Sequence, residues 1–99
     1  MGMHMTIPTE FEARAERRRW FSRDDAERVL DWLEEDALRF VGMELAEKGA
    51  DDSWTLLPDR LDLSRQTDNF EAVRRGRDFL RDYDGEGRMF EPVWQDRDQ

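Results

Sequence analysis

Four carboxylates, Glu27, Asp31, Glu34 and Glu35, stand at i, i+4, i+7 and i+8. On a helix this spacing stacks them as one column with neighbours about 5–6 Å apart. Like charges so placed cost a helix about a few tenths of a kcal/mol per pair, and only Arg28 and Arg39 flank them in sequence. An acidic protein can carry such a strip as ordinary solvated surface. The functional alternative is a strip that docks on a basic partner, where binding relieves the repulsion.

The opposite feature lies just upstream. Arg14, Arg17, Arg18, Arg19 and Arg23 surround Trp20, with Glu16 the one acid between Ala13 and Arg23, so this stretch carries +4 and the remainder −13. Arginines beside an aromatic ring can grip phosphates and stack a base. Bases near a helix C-terminus also complement its dipole and pair with neighbouring acids. Arg17, Arg18, Arg19 and Trp20 are therefore a candidate basic contact patch, with nucleic acid the less favoured partner. A third possibility joins the two features, the basic patch of one copy meeting the acidic column of another.

Other chemistry is poorly provided for. The chain has one histidine, His4, and no cysteine, which leaves no donor set for zinc and no thiolate or disulfide chemistry. Asp82-Tyr83-Asp84-Gly85-Glu86 lacks the spacing of a twelve-residue calcium loop. No serine or threonine stands in a nucleophile elbow, and no glycine-rich phosphate loop occurs. The expectation is a binding protein rather than an enzyme, with no cofactor, metal or small-molecule substrate. No motif names a family.

The elements that must position these residues follow from caps and periodicity. Thr9 and Glu12 form a capping box that starts a helix running to about Trp20. Ser22 to Asp25 is a second start, and from Asp24 to Lys48, with Gly49 as the stop, the pattern predicts one long helix. Its apolar residues would span an arc of about 240°, more than a surface helix needs, so it is expected to be central. Asp36 and Glu44 are two dents in that arc. Segments 54–63 and 88–94 are expected as a strand pair or extended arms, with Pro58-Asp59 as turn chemistry and Pro92 limiting its segment to an edge strand or a docked tail. Asp68 caps a third helix ending at Gly85, with Phe70, Ala72, Val73, Gly76, Phe79, Leu80 and Tyr83 on its apolar half. Gly76 marks the close approach of another helix backbone. The expected fold is mainly α, three helices with a long central second helix, plus a small β-hairpin or extended segments. Residues 1–8 are expected as a disordered tail, 9–94 as one small helical domain and 95–99 as a frayed tail.

Composition supports folding. Among 99 residues, four Trp, six Phe and one Tyr each bury roughly 150–250 Å² when packed, enough for a modest core despite 41% charged residues. No apolar run reaches the roughly 18 residues of a membrane span, and no signal peptide opens the chain, so the cytoplasm is expected. A net charge of −9 favours basic protein surfaces over nucleic acid or anionic lipid. The functional expectation is a small acidic module of inhibitor or immunity type, docking Glu27, Asp31, Glu34 and Glu35 on a nuclease, a toxin or a nucleic-acid-handling defence complex. The alternatives are a homo-oligomer assembled through the wide apolar face of the central helix, and nucleic-acid contact through the Arg14–Arg23 patch.

Overall fold

Ser22 opens the first helix, α1 (Arg23–Glu35), its hydroxyl accepting from the Asp25 N–H at 3.4 Å while Asp24 and Asp25 occupy the first turn. The structure is a computed structural model that describes residues 11, 14–16, 19–36 and 38–95. Ala26, Val29, Leu30 and Leu33, spaced i, i+3, i+4 and i+7, form the buried face of α1. The helix stops early. The Asp36 N–H bonds Trp32 O at 2.9 Å and the Leu38 N–H bonds Leu33 O at 3.0 Å, so the chain leaves the helix directly after Asp36.

The single helix expected from Asp24 to Lys48 does not form. Its second half is a strand, β1 (Arg39–Lys48), and the fold is α+β rather than mainly helical. The physical cause is a bulge. Phe40 pairs with Trp94 and Gly42 with Val93, which leaves Val41 as an extra residue on β1. An extra residue shifts strand parity, so the core-facing members Phe40, Met43 and Leu45 fall at spacings of three and two. Threes read as helix. The arc of about 240° was the overlay of a helix and a strand, each with its own period. Asp36 is the exposed C-cap of α1 and Glu44 lies on the strand face away from the core, so neither is a buried acid.

β1 turns back through Gly49–Ser53, closed by the Gly49 N–H on Ser53 O at 2.7 Å, with Asp52 at a φ of 64°. It then pairs antiparallel with β2 (Trp54–Asp62). Pro58-Asp59 is not a hairpin turn. Glu44 pairs with Arg60 and Ala46 with Leu56, so Leu57, Pro58 and Asp59 lie opposite Leu45 alone. A proline at a bulge on an edge strand removes no needed ladder donor and discourages pairing with a further chain.

Asp68 caps α2 (Asn69–Asp82) by accepting from the N–H groups of Phe70 and Glu71. β3 (Arg88–Gln95) returns beside β1, giving an antiparallel sheet of order β2-β1-β3. Both outer strands run opposite to β1, so β2-α2-β3 is a split β-α-β unit. The helices are antiparallel to each other, since Arg23 pairs with Asp84 while Asp31 and Glu34 meet Arg77. They form one layer over the sheet, enclosing Phe21, Leu30, Phe40, Val73, Leu80 and Phe90, each contributing about 1.5–3 kcal/mol by burial. Gly76 has a real packing reason, but its neighbour is not a helix backbone. A Cβ there would lie 2.6 Å from the Phe40 ring and 3.1 Å from Leu30 Cδ1.

No described part of 14–20 is helical. The Glu16 and Trp20 backbones exchange hydrogen bonds of 2.7 and 2.9 Å, and Phe21 bonds Phe90 in both directions on the free edge of β3. Residues 9, 10, 12 and 13 of the expected first helix, and the expected tail 1–8, lie outside the described residues. Gln95 belongs to β3 and accepts from Arg39 at 3.1 Å, while 96–99 lie outside the described residues.

Candidate functional site

The carboxylate column stands on the solvent side of α1. At 100° per residue, Glu34, Glu27, Asp31, Asp24 and Glu35 share a strip about 100° wide. Asp24, Asp31 and Glu35 are exposed, while Glu27 and Glu34 are half-buried toward α2. The column is not bare. Arg77 of α2 reaches across the helix pair to Asp31 at 2.5 Å and to Glu34 at 3.4 Å. Its own burial works against the charge, but the two carboxylates more than offset that and raise its pKa. Arg39, adjacent in sequence, turns away to Gln95 and to Ser64 O at 2.6 Å. Sequence could not show this exchange of partners, because no spacing rule states which residues of two helices face each other.

What remains uncompensated at the C-terminal end of the strip is Glu35 and Asp36, which follow the Arg77-paired Glu34, and the last turn of α1 holds no base of its own. The carbonyl end of a helix carries a partial negative charge, and acids placed on it are unfavourable by about 0.3–1 kcal/mol each. α2 obeys the rule with Glu71 in its first turn and Arg81 in its last. Glu27, Glu35 and the Asp36 carboxylate have no hydrogen-bond or ion-pair partner among the described residues. Because the helices are antiparallel, the N-terminus of α2 lies at this same end, held by the Asn69 carboxamide accepting from the Phe40 N–H at 2.9 Å. Phe70 follows it and is 70% exposed, although its sequence position suggested the apolar half of the helix.

The basic patch is brought into the fold rather than presented as a unit. Arg14 pairs with Asp25 at 3.2 Å, and Arg23 with Asp24 and Asp84 at 3.7 and 3.8 Å. The Arg19 guanidinium lies over the Trp94 ring, 5.0 Å from its centroid. Trp20 meets Trp54 at 6.0 Å, reaching from the β3 side to β2, and on the face between them Ala46 and Met89 are only 2% and 7% exposed. Arg17 and Arg18 lie outside the described residues. Lys48, paired with Glu16 at 2.6 Å, ties the same segment to β1. Glu16 is the main cause of its raised pKa.

Among the described residues no three His, Asp or Glu side chains are grouped to hold a metal ion, and no helix is long and apolar enough to cross a membrane. The chain matches no protein-family model, no curated protein and no solved structure.

Proposed function

We propose that this chain is a small acidic protein-binding module, of inhibitor or immunity type, that docks the carboxylate strip of α1 on a basic partner surface. The observation that carries the proposal is the electrostatic conflict at the end of α1. Three consecutive acids sit on the negative pole of that helix with no base in its last turn, and only the first of them, Glu34, is met by Arg77 from the neighbouring helix, which carries a base in its own last turn. A positively charged partner resolves that conflict on binding, and Phe70, exposed at the same end of the pair, adds an apolar anchor of the kind that concentrates binding energy. A nuclease, a nucleic-acid-handling complex or a toxin that acts on nucleic acid offers the matching surface, because each must attract phosphate. Binding rather than catalysis is part of the same proposal.

The test separates stability from binding. The double variant Glu35→Gln/Asp36→Asn breaks no ion pair among the described residues and should unfold at a higher temperature. It should also bind protamine, a soluble arginine-rich probe, more weakly than the wild type at low salt. Asp82→Asn/Glu86→Gln removes the same charge elsewhere and should leave protamine affinity nearer the wild type. Equal losses from both pairs would show that total charge, not the end of α1, governs the association.

The wide apolar helix face that suggested a homo-oligomer is divided between α1 and β1 and largely buried. The described members of the arginine patch are engaged within the chain.

A further inference from the structure

We propose that the notch above Gly42, on the sheet face away from the helices, receives one arginine side chain of a partner protein. The notch follows from register. On that face Gly42 pairs with Asp62 on one side and Val93 on the other, and in the next row Glu44 pairs with Arg60 and Glu91. A glycine in the middle strand, among side chains on every side, leaves a hollow of about 260 Å³ bordered by Glu44, Arg60, Asp62 and Val93. Gly42 is required there by the fold, since a Cβ would lie 2.5 Å from Leu61 O on β2. The hollow therefore has a rigid backbone floor.

The walls select a cation with an apolar stem. Asp62 accepts from the Ser64 N–H at 3.0 Å, and that hydrogen bond is the main reason its carboxyl stays below the usual range and charged. Glu44 stands directly across from Glu91, and like charges so placed repel. Burial pushes the Glu91 carboxyl up and Glu44 adds to the rise, while Arg19 opposes it. Arg60 lines the notch but forms no ion pair among the described residues, so the lining sets two carboxylates, Glu44 and Asp62, against one guanidinium; Arg65 also acts on Asp62 from outside the notch, and Glu91 lies beyond the lining in the row of Glu44.

A metal ion does not suit this arrangement, because the described carboxylates are not grouped as a ligand set. A guanidinium does, since its planar fork can bridge two separated carboxylates while its methylenes lie along Val93 and the glycine floor. The volume admits one side chain, and the chain's surplus of acids supplies the long-range attraction. This notch lies across the sheet from α1, so the inference is independent of the docking strip.

The experiment is an amide NMR titration of the full ¹⁵N-labelled chain with Nα-acetyl-arginine amide, Nα-acetyl-lysine amide and matched NaCl. Saturable shifts at Gly42, Glu44, Asp62 and Val93, tighter for arginine than for lysine, are expected. Glu44→Gln should weaken arginine binding about threefold, the size of one partly exposed charge pair, and Val93→Phe should fill the notch and abolish it without changing charge. Shifts no larger than those from NaCl would overturn the proposal. So would lysine binding as tightly as arginine, or undiminished binding by a folded Val93→Phe. Saturable shifts confined to α1 would overturn it while leaving the helix strip standing.

Discussion

Glu91 shows how much a single residue depends on its surroundings. In sequence it is one acid among 25; in the fold it is half-buried on β3 opposite Glu44, and burial raises its pKa above the ordinary 4.5. A carboxyl whose folded pKa exceeds its unfolded value destabilises the fold when ionised. Its contribution is absent below the unfolded pKa, and the penalty grows as pH rises through the folded value. Glu91→Gln should therefore leave the melting temperature unchanged at a pH well below 4.5 and raise it at neutral pH. Thermal melts of both proteins at acidic and neutral pH test this; a constant difference across the range would assign the effect to packing instead. Arg77 and Phe70 make the same point. The first compensates half of a carboxylate column that sequence shows as bare, and the second is exposed where helical spacing suggests burial.

At the scale of elements, the fold depends on how closely α2 approaches β1. Ala has the better helix propensity by about 1 kcal/mol, so an isolated helix would gain from Gly76→Ala. Here the added methyl meets the buried Phe40 ring at 2.6 Å, and overpacking of a filled core costs about 1–3 kcal/mol. The substitution should lower stability in urea denaturation, and adding Phe40→Leu should recover part of the loss. A stabilised Gly76→Ala would mean that the helix can move off the strand at no cost. β2 is controlled differently. Leu56 is 65% exposed on an edge strand, and Pro58 within the bulge, followed by Asp59 and Arg60, keeps that edge from templating another strand.

For the whole molecule, a net charge of −9 means that folding gathers like charges and is opposed by their repulsion. The ion pairs that counter it join exposed or half-exposed side chains, and each is worth little once solvated. Screening should therefore help the folded state more than it harms the pairs. Raising NaCl from about 0.01 to 0.5 M, which shortens the screening length from about 30 Å to a few ångströms, should raise the melting temperature. A fall would show that the ion pairs outweigh the repulsion.

The sequence by itself determined what local chemistry can encode. Ser22 and Asp68 as caps, the buried spacing of α1, and the Arg74 and Arg81 pairs with Glu71 and Asp78 are set by residues within four positions of one another. It also determined the acidity and the absence of thiol chemistry. Only the tertiary structure decided where α1 ends. The apolar residues between Phe40 and Leu45 satisfy both a helical and a bulged-strand pattern, and pairing with Trp94, Val93 and Leu61 selects the strand. The same holds for the candidate sites. Which carboxylates Arg77 neutralises, and which side chains of β2 and β3 border Gly42, are facts about residues about 20–50 positions apart, and local spacing carries no record of them.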